Sequence, residues 1–211
     1  MLFQGAKGEC TQESTNAEGL QEAINGFQQA QDAKDQIPDA NIDNKTTFYL
    51  GRAYLCQSLT GVDRWQEAEG ETQKVIAQYD EGDNRFKELA RGRVAEAHAN
   101  LGMIYLMGPK NNLPLAAQEY LTAINLNRVT VDSGRWLDFQ ALLFMKLAVI
   151  YECVPDYAEA DKAWDESIRY EALWYKQSGE AAPIPSPFQT LREDYARQRD
   201  GEPCPTPTPL P

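Results

Sequence analysis

Histidine is almost missing from this chain: His98 is the single one in 211 residues. Ser–His and Cys–His nucleophile arrangements can therefore be built only around that residue. It falls four residues before Gly102, on a face expected to pack against a neighbouring helix, so it reads as a packing residue. No HExxH, Walker loop or GxGxxG pattern is present. The four cysteines contain no CxxC spacing, which argues against a tetrahedral zinc site. The acidic turn Asp80–Asn84 lacks EF-hand ligand spacing and reads as a solvated loop. Positive charge is also scarce, with 20 Lys and Arg against 32 Asp and Glu and a net charge of −12. A basic surface for nucleic acid or an anionic membrane is not expected. Long apolar runs are missing too. The stretch Ala141–Tyr151 is interrupted by Lys146 and falls short of the roughly 18–20 residues that cross a bilayer. No catalytic group, cofactor or metal is expected.

What is present is helical periodicity. Apolar residues recur at a spacing near 3.6 throughout, and no segment alternates as a strand would, so the fold class is all-α. Eight helices are predicted, at about Asn16–Asp35, Asp43–Leu59, Asp63–Tyr79, Arg85–Met107, Asn112–Asn125, Gly134–Cys153, Asp156–Gln177 and Phe188–Arg199. Asp63 with Gln66 suggests a capping box, and Asp156 a second acidic cap. Gly108-Pro109 and Pro155 are stop signals, while Pro114 is tolerated in a first turn. The ends differ in character. Met1–Gly5 reads as the remnant of a viral 3C-type protease site and is set aside with residues 1–9. Residues 179–211 read as a Pro-broken linker, a short helix and an extended Pro/Thr tail. Such tails accompany exported bacterial proteins.

Between these ends, residues 10–178 carry an internal pattern. Leu101-Gly102-x-x-Tyr105 is followed by Ala116, Tyr120 and Ala123. Leu147-Ala148-x-x-Tyr151 is followed by Ala160, Trp164 and Ser167. Leu50-Gly51-x-x-Tyr54 with Ala68 opens the series, with Thr72 and Val75 in place of the aromatic and second small residue. Ala23, Phe27 and Ala30 match a lone second helix at the start. The pattern resembles the tetratricopeptide repeat proteins, whose paired helices read W-x-x-L-G-x-x-Y and A-x-x-x-F-x-x-A. The resemblance implies an array of helical hairpins wound into a right-handed superhelix, with about three repeats. The spacing departs from the family: Gly51, Gly102 and Ala148 lie 51 and 46 residues apart, against about 34.

The resemblance also implies a concave face lined by the first helix of each repeat. By register its members are Phe48, Arg52 and Leu55, then Ala99, Met103 and Leu106, then Met145, Val149 and Glu152. That groove would be mainly apolar, with Met103 and Met145 able to adapt. If the lengthened helices instead close the array, the same residues are core. The expected function is a non-enzymatic protein–protein interaction module or scaffold, with a protein or peptide as partner. The alternative is an accessory, lipoprotein-type subunit of a bacterial envelope complex, tethered by its tail.

Cys56 and Cys153 follow the repeat tyrosines by two residues and can be read simply as small buried hydrophobes. Cys10 and Cys204 sit where nothing apolar holds the chain, and make more sense bonded. Cys56 and Cys153 lie two repeats apart, beyond the Cα limit near 7 Å for a mutual bridge. The favoured pairing is therefore Cys10–Cys56 and Cys153–Cys204, which would fold the tail over the last repeat. It would also place the protein outside the cytoplasm, in a periplasm or on a cell surface. Alkylation without reduction, read by mass spectrometry, should label no cysteine. Four labelled cysteines would remove both the bridges and that location.

Overall fold

A computed structural model describes residues 17–33, 39–131 and 136–199. Eight helices occupy them: α1 (Ala17–Asp32), α2 (Ala40–Leu59), α3 (Trp65–Glu81), α4 (Asn84–Met107), α5 (Leu113–Val131), α6 (Leu137–Cys153), α7 (Tyr157–Ser178) and α8 (Pro187–Gln198). No strand occurs among the described residues. The chain divides into two compact units between Leu126 and Asn127, inside α5. Met1–Gly5, Cys10, Cys204 and the Pro/Thr tail lie outside the described residues.

Acidic and amide side chains cap four of the eight helix starts, because the first backbone N–H groups of a helix have no partner within it. Asp39 accepts from Asn41 N and Ile42 N, Asp83 from Phe86 N, and Asp156 from Glu159 N. Asn112 Oδ1 accepts from Leu115 N just ahead of Pro114. The expected cap at Asp63 does not form. Arg64 occupies the cap position of α3 without a side-chain cap bond. Its N–H donates to Ser58 Oγ at 3.2 Å and its guanidinium to Glu67 at 2.7 Å. The end of α2 thus supplies the acceptor that the capping box would have supplied.

In the first unit α1 packs on α2, α2 on α3 and α4, and α3 on α4. Short turns between α2 and α3 and between α3 and α4 favour antiparallel neighbours. Phe48, Val75, Phe86, Ala90, Val94 and Ala97 form the apolar centre, flanked by Ile76, Tyr79 and Leu126. Each large side chain buried there stabilises the fold by about 1.5–3 kcal/mol relative to exposure. Asn44, fully buried, runs a polar tie through this centre. Its Nδ2 donates to Val75 O at 3.0 Å and Gln78 Oε1 at 2.9 Å, and its Oδ1 accepts from Arg93 at 2.6 Å. One amide thereby joins α2 to both α3 and α4. Helix α1 is attached differently. Only Ile24 is buried, while Gln28 donates to the Tyr54 hydroxyl and Gln31 to Glu71.

The repeat glycines stand where helices touch. A Cβ on Gly51 would lie 3.2 Å from Thr72 N, and one on Gly102 would lie 2.9 Å from the Tyr120 ring. In the second unit α6 pairs with α7 across the turn at Pro155, and α8 packs on both. Ala141, Ala148, Ala160 and Trp164 are fully buried, and Ser167 Oγ donates to Ala141 O at 2.9 Å. At the end of α5, Asn127 donates to Gln140 at 2.8 Å, a buried amide pair.

Gly102→Leu should lower the urea midpoint more than Gly61→Leu. At Gly102 the new side chain must displace the Tyr120 ring, an overpacking cost of about 1–3 kcal/mol or more. Gly61 has φ 98° and open space around it, so the cost there is only that of a left-handed backbone, about 1–2 kcal/mol. Equal losses would contradict the close helix contact.

Candidate interaction site

The face that α2 and α4 share in the first unit is built from residues at helical spacing. Asn41, Lys45, Tyr49 and Arg52 lie along α2, and Arg93, Glu96, Asn100 and Met103 along α4. Arg93 is half-buried. Its guanidinium donates to Asn44 Oδ1 at 2.6 Å and to Asn41 Oδ1 at 3.0 Å, so neutral amides hold this cation. Burial pulls the Arg93 pKa below its ordinary value; the Tyr49 and Glu96 side chains oppose that pull. Arg52 lies 3.9 Å from Glu96, a loose pair. Tyr49 stacks on Phe27 of α1 at 5.8 Å and keeps 38% of its surface.

Of the expected groove residues, Arg52, Ala99 and Met103 retain partial exposure. Phe48, Leu55, Leu106, Met145, Val149 and Glu152 are buried. Phe48 belongs to the apolar centre of the first unit. Glu152 lies under α8, where Trp164 Nε1 and Arg199 both donate to it. Most of these residues are thus buried, as the closed-array alternative has them, while Arg52, Ala99 and Met103 keep partial exposure. His98 Nδ1 meets Glu119 Oε2 at 2.6 Å across α4 and α5, both groups mostly buried, so it ties two helices together.

Both described cysteines, Cys56 and Cys153, are disulfide-bonded. The expected partners, Cys10 and Cys204, fall outside the described residues. No group of three or more His, Cys, Asp or Glu residues among the described residues is arranged to hold a metal ion. None of their helices is long and apolar enough to cross a membrane.

The second unit carries polar groups that sequence reasoning passed over. Glu171 of α7 is 2% exposed. Ser186 Oγ donates to its Oε2, while Oε1 meets no donor among the described residues. Burial pushes the Glu171 pKa up, and the Ser186 bond only partly opposes this. A glutamate that the fold buries has no signature in the sequence that sets it apart from exposed ones, so only the folded chain reveals it. Comparison of the chain with known families, curated proteins and solved structures finds no match.

Glu171→Gln should raise the melting temperature at pH 7. Below the ordinary value of 4.5 the carboxyl is protonated in both folded and unfolded chains, and the two proteins differ little. As pH rises through the window above 4.5, the unfolded chain ionises first and the folded wild type alone loses stability. Melting curves of both proteins from pH 4 to 8 check this. A gap that widens toward acid would reverse the assignment.

Proposed function

We propose that this chain is a non-enzymatic interaction module of tetratricopeptide-like type that binds an acidic protein segment along the α2–α4 face. The observation that carries the reading is the cationic spot on a chain of net charge −12. Arg93 is held by amides rather than by a carboxylate, and Lys45 and Arg52 share its face. A guanidinium with unused donors in a half-buried setting favours a carboxylate ligand. The stacked Tyr49 ring offers a rigid apolar surface beside it. The hairpin type rests on the recurring small-residue contacts at Gly51 and Gly102. The disulfide state of Cys56 and Cys153 supports an extracytoplasmic location.

A photoreactive phenylalanine in place of Tyr49 tests the reading in native extracts. It should cross-link one discrete protein, whereas the same group at Glu166 of α7 should not. Lys45→Glu with Arg52→Glu should abolish that product while the circular dichroism spectrum stays that of the folded protein, since Lys45 is exposed and Arg52 gives up only a loose pair. Equal cross-linking from both positions, or no loss in the double variant, would overturn it. If removal of the tail, rather than the charge reversal, releases the protein from the envelope, the tethered-subunit alternative takes its place.

A further inference from the structure

Helix α8 is short, and arginines tie it to α6 and α7. It has 12 residues, a length at which an isolated helix is marginal in water. Phe188 is its one fully buried side chain, and Leu191 and Tyr195 are half-buried. Ion pairs add to this attachment. Arg192 pairs with Asp165 at 2.7 Å and with Asp161 at 3.6 Å. Arg199, just past the end of α8, grips Glu152 in a bidentate pair at 2.9 and 2.6 Å and reaches Asp161 at 2.9 Å. Its guanidinium also lies over the Tyr157 ring, 4.8 Å from the centre. Under α8 the floor is Trp164, fully buried, with the Tyr195 ring 6.1 Å away. The connection from α7, residues 179–185, is exposed throughout.

We propose that α8 is a strap that opens on this exposed hinge, and that the seat it leaves accepts an arginine-bearing helix of a partner protein. The seat selects its occupant by charge and spacing. Glu152 is almost wholly buried, its side chain 3% exposed, so it needs a guanidinium whenever it is ionised and covered. Asp161 and Asp165 stand one helical turn apart at the rim. Arg192 and Arg199 are seven residues apart, two turns of one face. An incoming helix with arginines at that spacing and an aromatic between them reproduces the ion pairs of Arg192 and Arg199 and the place of the Tyr195 ring beside Trp164. This inference uses the second unit alone and is independent of the α2–α4 reading.

Amide hydrogen exchange of the full chain tests the strap. From about 20 mM to 1 M salt, exchange in α8 should speed up roughly tenfold as the rim pairs are screened, while α6 and α7 hold. Arg199→Ala should speed α8 exchange already at low salt, and Arg199→Lys should recover part of the protection. A synthetic peptide of residues 186–199 should then bind the full-length Arg199→Ala protein. The same peptide carrying Arg199→Ala should not. Exchange of α8 that matches α6 and α7 at every salt concentration would show that no strap opens. Failure of the wild-type peptide to bind would remove the seat. A dimer growing with the loss of α8 protection would assign the seat to a second copy and overturn the partner reading.

Discussion

Two helices can lie close along their length only where one of them offers no side chain, and the packing here turns on that constraint. The Tyr120 ring occupies the volume that a Cβ on Gly102 would need, and Thr72 comes within reach of Gly51 in the same way. With the backbones this near, Ala68, Ala116 and Ala123 lose all exposure, and the larger residues around them fill the remaining space. Interiors of this kind are as dense as organic crystals, so a small residue at the crossing decides how far apart everything else must stand.

The polar interior is arranged around the same closeness. Asn44 replaces two interactions that an apolar residue could not supply: it satisfies the Val75 carbonyl and neutral neighbours on α3, and it accepts from Arg93 on α4. A leucine there would leave Arg93 half-buried with one amide acceptor fewer. Helix α1 lacks an equivalent anchor, and its glutamine contacts place it among the less firmly held elements of the first unit. The α2–α4 face therefore owes its rigidity to side chains that never touch solvent, and its chemistry to those that do.

Much of the fold was legible because helical packing writes itself into spacing. The positions of all eight helices follow from apolar periodicity and from Gly and Pro punctuation, and the equivalence of Gly51 and Gly102 follows from the neighbouring tyrosines. The ends of α5 and the cap of α3 were less legible. Val131 lies beyond the point where the apolar rhythm fades, and Ser58, which serves α3, belongs to another helix. The site was read less well for a related reason. Register tells which residues share a helix face, but not whether a second helix lies over that face. Register alone therefore leaves Phe48 and Glu152 open between groove and core, and only the fold buries Phe48 in the apolar centre and sets Glu152 beneath α8. Charge networks such as Arg199 with Glu152 and Asp161 join residues far apart in the chain, and no local pattern announces them.

That last network has a consequence for how the sequence can drift over generations. Glu152 and Arg199 stand 47 positions apart and yet form one heritable character. Losing Arg199 leaves the buried Glu152 carboxylate without its guanidinium and costs on the order of 3–5 kcal/mol, whereas replacing both by apolar residues of similar volume can be nearly neutral. The indole of Trp164 adds a third member, since its N–H needs the carboxylate or another acceptor. Descendants of this chain should therefore carry the three residues together or change them together, and a lineage that keeps Glu152 without a guanidinium should be rare.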